Sequence, residues 1–343
     1  MKASPMRRTA AALFLALCTS LAAQAQAPKP LRIASLVPKN SLYHRQLMEI
    51  GEAWAQAQQA QGGAKPKYLI YPDGSQGGEA EMARRMRIGQ LQGALLSVVG
   101  LREIEPTVAA LQNLPLLFRS WEELDYVREK MRPAMEKKFQ DKGFVVLAWG
   151  DAGWVRFFSK SPATRPEDYK KMKFFAWGAE SEQQDIMKSL GYTPIPLETA
   201  DILPSIQTGM INVVPATPYF ALASQVYMTA PNMLEINWAP IVGALVITKK
   251  SWDEMAPAVQ EQLRAASDKA GVQIRAKARQ EVIDAVEAMK KRGLVINKPS
   301  PAELKEWTEL ADKLYPRIRG VMVPAETFDE VFAHVKAYRA SKK

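Results

Sequence analysis

The chain has 343 residues, 47% hydrophobic and 24% charged, with a formal net charge of +10 at pH 7. That length and apolar content suffice for a large core divided over two domains. One cysteine and two histidines exclude an internal disulfide framework, and the wide separation of His44 and His334 gives no metal-ligand spacing. Lysines and arginines are mixed with acids along amphipathic stretches, and no arginine-rich run interleaved with aromatics occurs, so nucleic-acid binding is not expected.

Lys2, Arg7 and Arg8 form a positive start, Ala10 to Leu17 a short apolar stretch, and Ala23-Gln24-Ala25 a small-residue cleavage site. This is the pattern of a cleaved signal peptide over 1–25, which predicts export. Leu17 is bulky where a lipoprotein signal wants a small residue, which argues against Cys18 as a lipid anchor. No later apolar stretch has the length of a transmembrane helix.

Leu31 to Pro38 reads as a strand, followed by a helix capped at Asn40 or Ser41 with Tyr43, Leu47, Ile50 and Trp54 on one face. A strand at Lys67 to Tyr71 leads through Asp73-Gly74 and Gly77-Gly78 into a helix. Glu79 and Glu81 sit in its first turn, where carboxylates suit the macrodipole. Gly93 to Gly100 is a fully apolar run of the kind buried in a parallel sheet. A long amphipathic helix carries Trp121, Leu124, Val127, Met131, Met135 and Phe139 and ends at Gly143. This alternation is that of an open α/β sheet, whose ligands sit at the carboxyl ends of the strands.

Trp149 to Gly178 reads as two apolar strands joined by a polar, proline-containing connection, each strand bearing a Trp-Gly pair. Arg156 is a fixed cation inside this apolar run. It suits either an edge-strand arginine snorkelling to water or a guanidinium facing an anion in a cleft. Helices are expected at Ser181 to Leu190 and Thr199 to Met210, and a strand over Asn212 to Pro218. Asn232 to Lys249, broken by Pro240, is long enough to pass between lobes. Ser251 with Glu254, and Ser300 with Glu303, form capping boxes, and a helical stretch from Ser251 to Arg292 is interrupted at Pro257 and Gly271. No GxGxxG or GKS/T loop follows a strand, so no nucleotide cofactor is expected, and no serine sits in a GxSxG elbow. A binding protein fits better than an enzyme.

The segments SQGGEAEM, GWVRFFSKS, PEDYKKMKFF, IQTGMINVV and KKSWDEMAPAVQEQLRAAS, followed by a long helix and KKRGLVI, occur in an order that resembles one family. From about Leu31 to Arg339 the chain is similar to periplasmic solute receptors of tripartite ATP-independent periplasmic (TRAP) transporters. The resemblance implies a two-lobed α/β periplasmic binding protein fold, with open, mostly parallel sheets, flanking helices, crossing strands and a long back helix. It places 28–152 plus 241–280 in lobe I and 153–240 plus 281–343 in lobe II. It further implies a periplasmic location, a small organic ligand held between the lobes, and delivery to separate TRAP permease membrane subunits.

Two of the family's gripping positions depart from its pattern. The arginine that ends the strand after the Asp-Leu-Lys-Gly segment falls on Phe175, and the asparagine after the Gln-Thr-Gly segment falls on Ala216, beside Thr217. Arg156 matches a second family arginine, and Glu79 an acid at the helix start. Burying a carboxylate without its guanidinium costs about 2–5 kcal/mol, roughly 30- to 4,000-fold in affinity. Trp149, Trp154, Phe175, Trp177, Tyr219 and Trp238 offer apolar surface instead. Covering about 300 Å² yields roughly 7 kcal/mol before association costs. The expected ligand is therefore largely apolar or aromatic, with at most one anionic end, at Arg156. The alternatives are a carboxylate receptor gripping through Arg156 and a ligand-sensing partner of a membrane kinase.

Overall fold

The structure is a computed structural model that describes residues 29–62 and 64–342. The expected signal peptide and Cys18 lie outside the described residues. In chain order the strands are β1 (Leu31–Ser35), β2 (Tyr68–Tyr71), β3 (Gly93–Ser97), β4 (Phe144–Trp154), β5 (Arg156–Ser159), β6 (Lys173–Trp177), β7 (Thr193–Leu197), β8 (Val213–Ala216), β9 (Asn232–Leu234), β10 (Pro240–Thr248) and β11 (Val295–Asn297). They form two sheets, ordered β2-β1-β3-β10-β4 and β11-β9-β5-β8-β6-β7. The longer helices are α1 (Leu42–Ala60), α2 (Glu79–Arg87), α3 (Trp121–Asp141), α4 (Ser181–Ser189), α5 (Ile202–Thr208), α6 (Pro257–Lys290), α7 (Pro301–Ile318) and α8 (Ala325–Ser341).

Each sheet is mixed. β1 runs parallel to β2 and β3, and β6 parallel to β7 and β8. β10 is antiparallel to β3 and β4, and β5 is antiparallel to β8 and β9. These antiparallel strands adjoin the two crossings between the lobes, at Trp154–Arg156 and Leu234–Pro240. The crossings are tied together where Val155 N donates to Ala239 O (2.8 Å) and Trp238 N to Val155 O (3.0 Å). The β4–β10 pair carries two register shifts, at Ile241/Val242 and Leu245/Val246, where the ladder is locally disrupted as at a bulge.

The elements follow from local chemistry. Ser41 Oγ accepts from His44 N and starts α1, whose Leu42, Tyr43, Leu47, Ile50 and Trp54 are buried on one stripe. The apolar run 93–100 is a strand only to Ser97, because the Ser97 hydroxyl accepts from Val99 N (3.2 Å) and opens a short helix, Val98–Leu101. Helix α6 continues through Gly271. A Cβ at that position would sit 3.1 Å from Trp149 O, so the missing side chain lets the helix lie against β4.

Helix α6 spans both lobes. Val259 and Leu263 join a first-lobe cluster with Val145 and Leu245, while Met289 joins Phe158, Phe175 and Leu294 in the second. The last helix, α8, does not follow the expected placement of 281–343 in lobe II. Its Phe328, Val331 and Val335 pack with Leu124, Val127 and Met131 of α3 in the first lobe, and Arg339 Nε donates to Glu123 Oε1 at 2.8 Å. The reason is an amphipathic stripe that finds its apolar complement across the lobe boundary.

Candidate functional site

A cavity of about 380 Å³ lies between the lobes, within the size range of sites for small organic ligands. Its walls come from the carboxyl ends of the strands: Leu36 and Val37 after β1, Ser97 at β3, Gly150 to Ala152 in β4, Phe175 to Trp177 in β6, and Pro215 to Thr217 at β8. Tyr43 of α1 and Tyr219 meet edge to face across it, their ring centroids 6.4 Å apart. Apolar side chains dominate the lining, which excludes water and favours an apolar body.

The expected site residues divide. Glu79, Trp149, Phe175, Trp177, Ala216, Thr217, Tyr219 and Trp238 all contribute to the wall. Phe175 and Trp177 are packed edge to face at 4.8 Å, and Trp238 is fixed by Phe157 and Trp307. Trp149 contributes less than expected, because its indole turns into the first-lobe core, with Nε1 donating to Glu136 Oε1 (2.9 Å) and the ring against Phe139. The Thr217 hydroxyl accepts from Phe220 N (3.3 Å) as a helix cap.

Trp154 and Arg156 are not brought to the cavity. Trp154 is buried against Trp121 at 4.7 Å. Arg156 pairs in register with Ala216, but strand alternation gives Val155 and Phe157 to the cavity wall. The charge facing Arg156 is Glu235, and burial lowers its pKa.

Among the described residues, the cavity lining contains no lysine, arginine or histidine, yet it includes Glu79, Asp151 and Glu180. Glu79 is cradled by Ser97 N (2.9 Å), Ser97 Oγ (2.6 Å) and Gly100 N (2.9 Å). Burial raises its pKa, and these three donors oppose the rise. Asp151 Oδ2 lies 3.2 Å from Arg279 and 3.8 Å from Arg128, and burial raises its pKa as well.

Glu180, at the start of α4, faces Arg102 of the other lobe at 3.8 Å, while Arg102 Nη2 donates to Glu182 Oε2 at 3.2 Å. Burial pushes the Glu180 carboxyl up to about 7, with Arg102 opposing and Glu79 and Glu182 adding to the rise. The lobes also meet where Glu198 lies against Gly78, so closely that a Cβ on Gly78 would be 2.6 Å from its Oε2. Asp151 and Glu180 escape sequence reasoning, since neither lies in a motif or a periodic pattern. The acid-rich stretch Glu180-Ser181-Glu182 reads as an ordinary helix start.

The described residues hold no group of three or more acids, histidines or cysteines placed to bind a metal, and no described helix is long and apolar enough to cross a membrane. The profile of bacterial extracellular solute-binding proteins, family 7, matches residues 33–319. The uncharacterized protein YiiZ of Salmonella typhimurium is 32% identical over 155 residues, 44% of this chain and 46% of that protein. The C4-dicarboxylate-binding periplasmic protein DctP of Rhodobacter capsulatus is 21% identical over 266 residues, 77% of this chain and 79% of that one. A TRAP periplasmic solute-binding protein from Shewanella oneidensis, solved with bound succinate, superposes with a TM-score of 0.81 at 16% identity, covering 90% of this chain and 100% of that one. Receptors of this kind are periplasmic, bind small ligands and work with membrane permease subunits. With the two-lobed fold, the cleft and the family profile in agreement, the chain belongs to the family 7 bacterial extracellular solute-binding proteins, the TRAP-type transport receptors, and is not an enzyme.

Proposed function

We propose that this receptor, exported by cleavage of 1–25, captures a small, largely apolar or aromatic organic compound and hands it to a TRAP permease. The observation that carries this reading is the cavity lining: apolar and aromatic over most of its area, with three acids and, among the described residues, no cation. A carboxylate entering it would lose its water without gaining a guanidinium, the penalty of about 2–5 kcal/mol already given. It would also approach Glu79, Asp151 and Glu180. Arg156 lies outside the lining, which supports a ligand without an anionic end.

The ligands named for the relatives, C4-dicarboxylates and succinate, set the contrary expectation. A thermal-shift comparison separates the two. Uncharged aromatic compounds such as phenethyl alcohol and tryptophol should stabilise the protein while succinate and malate leave its melting point in place. Stabilisation by the diacids with none from the aromatics would overturn the proposal.

A further inference from the structure

We propose that the ligand carries a basic nitrogen whose N–H is received by Glu180 Oε1, so that the receptor selects apolar or aromatic amines over their neutral and acidic counterparts. This rests on the receptor reading above and adds the ligand's polar end. Glu180 is 3% exposed, lines the cavity, and its Oε1 has no hydrogen-bond partner. Arg102 Nη1, itself without a hydrogen-bond partner, stands 3.8 Å from that oxygen, so the pair leaves an acceptor and a donor open, and a ligand N–H can take the acceptor.

The three acids of the wall differ in how their charge is met. Glu79 takes three short hydrogen bonds from Ser97 and Gly100, and Asp151, although its Oδ1 also has no hydrogen-bond partner, has the guanidiniums of Arg279 and Arg128 behind it. Glu180 has a share in Arg102, at a distance too long for a hydrogen bond, and Arg102 also serves Glu182. Glu180 thus shares one guanidinium with Glu182, and Glu79 adds to the negative field around it. A smaller opening beside it is lined by Gly78, Glu79, Glu81, Trp177, Gly178 and Glu198. Glu81 there is paired with Arg84 and Arg85, so the negative field of this opening comes from Glu79 and Glu198, and Trp177 adds an aromatic face of the kind that receives ammonium groups.

A bound ammonium stabilises ionised Glu180. With the carboxyl held at about 7, ligand binding near neutral pH releases up to about half a proton per receptor. Arg102, Glu79 and Glu182 are the charged groups that set this value.

The test uses two matched sets of probes on the mature receptor: phenethylamine, phenethyl alcohol and hydrocinnamate, then tryptamine, tryptophol and indolepropionate. Calorimetry should show each amine binding at least about tenfold more tightly than its alcohol, with the carboxylates weakest. The E180Q variant should erase that ratio. Should E180Q fail to fold, wild-type titrations in two buffers of different ionisation enthalpy still read the proton released by the amines. Alcohols binding as tightly as amines overturn this inference and leave the apolar-ligand reading standing. Carboxylates binding most tightly overturn both. Amines that fail to bind, or bind without proton release, overturn the inference.

Discussion

Substitution of Glu180 by glutamine should make the unliganded receptor more stable at alkaline pH and leave it nearly unchanged at acid pH. The carboxyl stands at about 7 in the fold against 4.5 in its ordinary state. Between those values the folded state holds the proton and the unfolded state has lost it, so the wild-type protein loses stability as pH rises through that window. The loss is complete above about 7 and amounts to about 3 kcal/mol. Glutamine has the same shape and cannot ionise, so it escapes the penalty. It gives up the attraction of Arg102, which is already included in the folded value and leaves Arg102 paired with Glu182. Urea unfolding of both proteins at about pH 5, 6, 7 and 8 should show curves that nearly coincide at the acid end. They should separate to about 3 kcal/mol in favour of E180Q at the alkaline end. A difference that stays constant with pH, or a variant that is less stable at pH 8, would refute the reasoning. The substitution that stabilises the empty receptor is also the one predicted to weaken amine binding, a conflict expected where a buried charge is kept for a ligand.

Glu79→Ala would strip Ser97 N, Ser97 Oγ and Gly100 N of their shared acceptor, and should lower unfolding free energy by about 2–4 kcal/mol in denaturant titration. Gly271→Val should destabilise by about 1–3 kcal/mol, measured the same way, because its Cβ would press on Trp149 O at 3.1 Å and on Ala148. Trp177→Ala removes an aromatic wall of the cavity and should weaken calorimetric affinity for aromatic probes by about 10- to 100-fold. Arg156→Ala, off the lining and facing Glu235, should change that affinity by less than about twofold.

Much of the architecture is legible along the chain. Strand and helix periodicities between Leu31 and Thr248 announce the alternating α/β lobes, and the break at Pro240 separates β9 in one sheet from β10 in the other. What the sequence hides is set by packing between distant segments. The return of α8 to α3 depends on two apolar stripes more than 180 residues apart meeting in space. Trp149 and Trp154 show how a tryptophan at a strand end reads alike whether it faces a cleft or a core. One is turned away by Phe139 and the other by Trp121. Arg156 stands out as a lone cation in an apolar run, yet its facing is decided by alternation along β5, which a single-residue shift would reverse. Glu180 is silent in the sequence, because the burial that raises its pKa arises only when the two lobes pack together, with Arg102 of the first lobe opposing the rise.

The most direct test of the central claim, a cation-free apolar cleft, is the identity of the small molecule that leaves the purified receptor on denaturation, read by mass spectrometry. The account predicts an apolar or aromatic compound without a carboxylate. Recovery of a dicarboxylate or a uronate would contradict it.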